Sequence, residues 1–393
     1  MTTRLSLTEY VSQQFDRQQL SDAVGELLWQ TYRSQVAVEF PSPKTGGRWE
    51  LTAQGWVGHI PLSPDLTLTL QPKVELGNLF RMLEYAYNLE SFRLLEGSIE
   101  SDTLTDLFER LANILALRVL KRGRQGFQRA YLARQETLST MRGRLDLNRA
   151  LQTPGQVGLP CHFEEHTADL EDNQILAWTL FGLARSPICS ERVQPTVRRA
   201  YRALQGLVTL TPVSAEVCAN RLYHRLNQDY QPLHALCRLF LEQIGPSHAS
   251  GERSMLPFLV DMARLYEKFV AAWLQAHLPA GWGLKVQERV SLGEGQRLHL
   301  DLDLVLVDLE TGQAAIVLDT KYKTPDKPAH ADIYQVVAYA EAIGCREAIL
   351  VYPTPLPEPV DTIWGHNIRV RTLTFGLAAD LEQAGQAFLA GLM

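Results

Sequence analysis

The stretch RLHLDLDLVLVD, residues 297–308, leaves the chain little choice of local structure. Leucine recurs at 298, 300, 302, 304 and 306, the period of two that belongs to a β-strand and not the 3.6-residue period of a helix. Leu298, Leu300, Leu302, Leu304 and Leu306 point one way; His299, Asp301, Asp303, Val305 and Val307 point the other. Acids on one face of a strand whose other face is leucine call for something positive beside them, because an unpaired buried carboxylate is very costly. The following strand ends in VLDTKYK (317–323) and places Asp319, Lys321 and Lys323 on one face. A hairpin-like pairing brings Asp303, or Asp301, beside Asp319 with Lys321 close by.

Two readings of these residues compete. One is a solvent-facing strand surface with a solvated ion pair. The other is a metal site: two converging carboxylates suit a hard cation such as Mg²⁺, which takes oxygen ligands and retains waters. A lysine beside such a water can orient it, deprotonate it, or offset the charge developing on phosphorus. The first reading explains the acids of one strand but not the D-x-K on the next.

The surrounding segments alternate in type. Within 261–278, Met262, Leu265, Tyr266, Phe269, Val270, Trp273 and Leu274 form one apolar stripe, an amphipathic helix with Glu267 at its edge. Strands are expected at about 284–292, 297–307, 313–321 and 347–353, and a helix at about 331–343. This gives α-β-β-β-α-β, a small mixed sheet flanked by helices. Upstream, residues 34–70 alternate as strands with a TGG turn, and helical spacing begins after QPKV. A mostly helical region is expected from about 103 to 245, broken at 151–160, with a Gly/Ser-rich linker at 244–254. The expected class is α+β multidomain: an N-terminal β-rich domain (1–100), a helical middle region (101–250) and an α/β C-terminal domain (251–393).

A net charge of −6 does not suggest a nucleic-acid binder, yet nine Lys/Arg fall between Arg118 and Arg149 against two acids, with Phe127 and Tyr131 interleaved. Arg122, Arg124, Arg129, Arg134, Arg142 and Arg144 of this run, with Lys323, are candidate phosphate contacts; a solvated helix face explains the run equally well. The five cysteines (161, 189, 218, 237, 345) form no C-x-x-C, so neither a disulfide framework nor a zinc ribbon is indicated. Cys161, His162 and His166 lack a fourth soft ligand and are expected to be structural. No apolar run approaches membrane-spanning length, MTTRLSLTEY lacks a signal-peptide core, and the expected location is the cytoplasm.

An acid followed by D-x-K at the end of the next strand, with a glutamate on the preceding helix, resembles the PD-(D/E)xK nuclease core. The usual proline before the first acid is missing, since Leu302 precedes Asp303, and Asp301 stays open as an alternative metal ligand. "DLVL" after 302 fits the family's acid-plus-apolar pattern and favours Asp303. The resemblance makes Asp303, Asp319, Lys321, Glu267 and Gln335 catalytic, with Asp303, Asp319 and the backbone carbonyl of Thr320 on the metal. DTKYK followed by DIYQVVAYA resembles the McrC family, as do LTEY (7–10), LTLQPKVELGNLFRMLEYAYNL (68–89), MRGRLDLNRAL (141–151), CHFEEHTADLEDNQILAWTL (161–180) and LYEKFV (265–270). This resemblance implies a Mg²⁺-dependent endonuclease subunit, with Mn²⁺ able to substitute. It would act on double-stranded DNA beside an McrB-like AAA+ GTPase hexamer that it stimulates. GTP would be bound by that partner, in keeping with the missing G-x-x-x-x-G-K-[ST] loop here. The β-rich piece near 34–70 and its loops, such as PSPKTGGRW (41–49), are the expected motor contact, and a surface hairpin with Trp49 packed underneath explains those residues equally well. A catalytically idle adaptor and an autonomous RecB-like nuclease are the alternative readings.

Overall fold

The computed structural model describes residues 3–63, 65–89, 104–152, 157–186, 188–219, 221–243, 248–250, 253–255, 257–292, 298–365, 367–378 and 380–393. They form a mixed α/β structure of two compact units: Met1–Leu107 with Ser250–Glu252 and Pro257–Met393, and Phe108–Ala249 with Arg253–Leu256. Among the described residues no helix is long and apolar enough to cross a membrane.

The first unit opens with β1 (Thr3–Thr8), β2 (Ser12–Phe15), α1 (Asp22–Thr31), β3 (Val36–Glu39), β4 (Trp49–Ala53), β5 (Trp56–Ser63), β6 (Leu66–Gln71) and α2 (Leu76–Tyr87). Strands β2, β4 and β3 form one small sheet. Trp49 is buried beneath the 41–49 hairpin, against Phe40 and the α1 backbone at Gly25, where a side chain would have no room. The alternation of Leu5 and Leu7 makes β1 a strand, a signal in the first ten residues that the expected elements did not include.

In the second unit follow α3 (Leu104–Gln125, beginning just before the boundary), β7 (Ala130–Leu138), β8 (Arg144–Leu145), α4 (Leu147–Gln152), β9 (Leu159–Thr167), α5 (Glu171–Leu183), α6 (Gln194–Leu204) and α7 (Tyr230–Gln243). The expected helical region therefore holds a three-stranded sheet, β7-β9-β8. β7 escaped notice because it has no fully buried face: AYLARQETL alternates only between half-buried and exposed. The basic run 118–149 is accordingly divided among a helix end, two strands and a short helix. Of the expected linker 244–254, residues 244–247, 251 and 252 lie outside the described residues; β10 (His248–Ser250) and β11 (Arg253–Met255) pair with each other.

The rest of the first unit comprises β12 (Phe258–Asp261), α8 (Met262–His277), β13 (Trp282–Leu292), β14 (Leu298–Asp308), β15 (Ala314–Thr320), α9 (His330–Ile343), β16 (Glu347–Tyr352), β17 (Asp361–Trp364), β18 (Ile368–Thr374) and α10 (Leu381–Leu392). The expected α-β-β-β-α-β order is present from α8 to β16. The sheet runs β13-β14-β15-β16-β18-β17, antiparallel from β13 to β15 and parallel from β15 to β18.

β12 joins the N-terminal part to this sheet. It completes the order β1-β6-β5-β12, with Leu259 opposite Gly58 and Asp261 opposite Trp56. Asp261 then caps α8, accepting from the Ala263 and Arg264 amides at 3.0 and 3.1 Å. Met262 donates its own amide to the Gly55 carbonyl at 3.0 Å. All seven residues of the predicted α8 stripe are buried.

Candidate active site

The site lies where the apolar interior between the sheet and α9 gives way to charge. Val305 and Val317 belong to a buried cluster with Val336, Tyr339 and Leu350. By the period of two, Asp303 and Asp319 are the next residues on the same face. The β14–β15 ladder pairs Leu304 with Leu318 and Val305 with Val317, and one further step sets Asp303 opposite Asp319. Asp303 Oδ2 accepts from the Thr320 amide at 2.9 Å and from its hydroxyl at 3.2 Å, which fixes the carboxylate at the strand end.

Asp319 is 1% exposed. Its Oδ2 lies 2.6 Å from Lys321 Nζ. That approach is a charge contact and not an aligned hydrogen bond, so this buried oxygen has no directed donor. Burial, and then the neighbouring Asp303 charge, push the Asp319 carboxyl up to about 7 against the pull of Lys321. Burial raises Asp303 as well, and Glu267 is raised by burial and by Asp303. Asp319, Asp303 and Asp332 all act on Lys321, whereas the cations near Glu267 are Arg264 and Lys268.

Lys321 is held on two sides. Its amide donates to the Val351 carbonyl at 2.8 Å. Its Nζ donates to Gln335 Oε1 at 3.0 Å, and Gln335 Nε2 in turn donates to Tyr339 OH at 2.6 Å. Burial would lower the lysine, but Asp319, Asp332 and Asp303 leave it raised and firmly cationic. Glu267 accepts from Gln287 Nε2 at 3.1 Å. Gln287 interrupts the β13–β14 ladder between the Val286–Leu304 and Glu288–Leu302 pairs and holds a left-handed φ of 52°.

Asp301 is separate from this group. It pairs with Arg289 at 2.6 Å on the surface, with 65% of its side chain exposed. If the chain is a metal-dependent nuclease with Asp303 alone as its first ligand, Asp301→Ala is expected to leave cleavage of DNA within about twofold of wild type, since exposed pairs contribute little; Asp303→Ala should lose it. Initial rates on duplex DNA with Mg²⁺ check both.

Among the described residues no group of three or more His, Cys, Asp or Glu is gathered closely enough to hold an ion by itself. Two carboxylates, one with an oxygen lacking a directed donor, nevertheless match a hard cation that would draw its other ligands from the Thr320 carbonyl and from water. Cys161 is buried, His162 Nε2 lies 2.9 Å from Asp146 Oδ2, and His166 packs on Tyr131 with ring centroids 4.8 Å apart. All five cysteines are free and buried.

The expected phosphate contacts divide. Arg122 is 16% exposed, paired to Asp229 at 3.4 Å and placed over the Tyr230 ring. Arg134 and Arg142 both pair with Glu165, and Arg142 lies over Phe163. Lys323 pairs with Asp332 at 2.5 Å. Arg144 is exposed on β8. Arg124 and Arg129 are exposed and line a cavity of about 340 Å³ with Arg199 of α6. An adjoining cavity of about 280 Å³ adds Lys121, and neither contains an acid in its wall. Sequence spacing could not reveal Arg199, which is 75 positions from Arg124. It also missed Tyr339, one helical turn beyond Gln335 on α9, and Asp332, which meets Lys323.

Comparison with known proteins places this arrangement. The fold is similar to that in a refined half-complex from a tetradecameric assembly of Thermococcus gammatolerans McrB AAA+ hexamers with bound McrC. There the TM-score is 0.55 and the identity 16%, covering 100% of both chains. A cryo-EM structure of the Thermococcus gammatolerans McrBC complex matches over 69% of this chain and 87% of that one, with 19% identity and a TM-score of 0.43. No curated protein matches the sequence. Residues 51–353 match the family described as McrBC 5-methylcytosine restriction system component. With that match spanning most of its length, the chain belongs to the McrBC restriction-system component family, as its McrC-like segments implied.

Proposed function

We propose that this chain is the Mg²⁺-dependent endonuclease subunit of a modified-cytosine-directed restriction complex, built on a PD-(D/E)xK core. An McrB-like AAA+ GTPase would supply recognition and translocation of DNA. The observation that carries the proposal is the gathering of Asp303, Asp319, Lys321 and Gln335 at the β14–β15 end, with the Glu267 charge within reach of Asp303. Asp303, Asp319 and the Thr320 carbonyl would hold the ion. When bound, Mg²⁺ supplies a more acidic water and charge neutralisation at a phosphodiester. Lys321, held by Gln335, would orient a water at the phosphate and offset charge on its oxygens. Glu267 would serve as the auxiliary acid beside Asp303.

The partner assignment rests on the family and on the McrB–McrC assembly that shares this fold. The test is cleavage of duplex DNA with Mg²⁺, with and without the cognate AAA+ partner and GTP. Cutting that requires partner, GTP and intact Lys321 supports the proposal. Cutting without the partner points to an autonomous nuclease. Stimulated GTP hydrolysis with no cutting points to an adaptor.

Lys121, Arg124, Arg129 and Arg199 would meet the DNA backbone. Replacing Arg124 and Arg199 together by alanine removes two phosphate contacts, so the slope of log affinity against log salt should fall in magnitude by about 2. Fluorescence anisotropy with a labelled duplex over a salt series reads this directly. An unchanged slope would place the DNA elsewhere.

A further inference from the structure

LTEY (7–10) is among the segments that resemble McrC, yet nothing in the proposed chemistry uses it. The structure gives it a place. Glu9, immediately after β1, is a fully buried carboxylate, 0% exposed. Its Oε2 accepts from the Tyr322 hydroxyl at 3.2 Å and from the Lys73 amide at 3.0 Å, and its Oε1 is buried without a partner. Tyr10 holds a left-handed φ of 59°, a conformation a bulky side chain rarely adopts, with its hydroxyl 3.4 Å from the Tyr322 carbonyl and Lys73 Nζ over its ring. Two consecutive N-terminal residues therefore grip both ends of Tyr322, the neighbour of Lys321. The Tyr322 ring also meets Tyr266, the neighbour of Glu267, with centroids 6.0 Å apart.

Packing alone does not fix Tyr322. Together with Tyr10, Lys73 and Leu377 it borders a cavity of about 290 Å³, so the ring has room to shift once its hydrogen bonds go. The geometry points to Glu9 as a positioning residue: through the Tyr322 hydroxyl it holds the Thr320–Lys323 segment, and with it the Lys321 ammonium, in register with Asp319. It also ties the aim of that lysine to the N-terminal part of the chain. This role rests on the nuclease reading for its catalytic consequence, but not for its structural one.

The test uses the full chain carrying Glu9→Gln, Tyr322→Phe or both. Hydrogen–deuterium exchange is followed over 317–324, and duplex cleavage is measured with Mg²⁺, the cognate AAA+ partner and GTP. Each single variant should speed exchange at 321–323 about tenfold while β16 and β18 keep their protection. Each should lower turnover about tenfold or more, the scale expected for a misplaced catalytic group, with half-saturating DNA unchanged. Because Glu9 acts through one hydroxyl, the double variant should be no worse than Tyr322→Phe. Unchanged exchange, unchanged turnover, or fully additive losses overturn the role. If the wild type does not cut, the nuclease reading fails and exchange alone decides: faster exchange upholds the grip, and unchanged exchange removes it. Should Glu9→Gln unfold, Tyr322→Phe, which deletes only a hydroxyl, gives the answer.

Discussion

If the proposed nuclease site is right, Asp319→Asn and Lys321→Ala are both expected to lower duplex cleavage by about a thousandfold or more, the loss that follows removal of a metal ligand or of a preorganised charge at the reacting phosphate. Their effects on stability should point in opposite directions. Asp319 is a buried carboxylate whose Oδ2 lacks an aligned donor and whose charge repels Asp303. Neutralising it removes both penalties, so Asp319→Asn should melt no lower than wild type. Lys321→Ala leaves Asp319 buried without its cation, at a cost of about 1–3 kcal/mol. Cleavage rates and melting curves on the same preparations check the pair. A dead but undiminished Asp319→Asn marks the carboxylate as kept for chemistry. A variant that melts well below wild type and still cuts marks Asp319 as part of the scaffold.

The second large effect is expected far from the chemistry. Gly58 pairs with Leu259 across β5 and β12 at a φ of 138°. A Cβ there would lie 3.0 Å from the Phe258 carbonyl carbon, 3.1 Å from Leu259 Cα, and closer still to the Phe258 carbonyl oxygen. None of these is a side chain that can turn away. Gly58→Ala therefore combines a forbidden backbone conformation with a backbone clash, for about 3 kcal/mol or more. The damage falls on β12, whose last residue caps the helix carrying Glu267. The midpoint of denaturant unfolding should drop, and cleavage should weaken with it. Gly77→Ala serves as a control, because a Cβ at that position meets nothing within 4 Å.

What could be read from the sequence followed from local periodicity. The β14 alternation, the α8 stripe and the α9–β16 succession each declare themselves within a dozen residues, because one buried face imposes its period on the residues that cover it. Where no face is fully buried the period fades, and β7 was absorbed into a helical region for that reason. The basic run shows a different limit. Composition counts charges without their partners, and Asp229 and Glu165 occupy Arg122, Arg134 and Arg142 from positions that no local window contains.

The sequence alone determined that two strands would present acids on like faces, and which family those residues resemble; the second strand ends at Thr320, so Lys321 and Lys323, expected on its face, lie just beyond it. Only the tertiary structure separated Asp303 from Asp301, setting the first against the Thr320 amide and the second at the surface. The separation depends on the register in which β15 pairs with β14, and on Arg289, which pairs with Asp301. It also brought Glu9 to Tyr322 across more than 300 residues, and Arg199 beside Arg124. Periodicity is written into each segment by the face it must bury. Register and the pairing of distant charges are set only when separate segments close on one another, and no single segment encodes its distant partner.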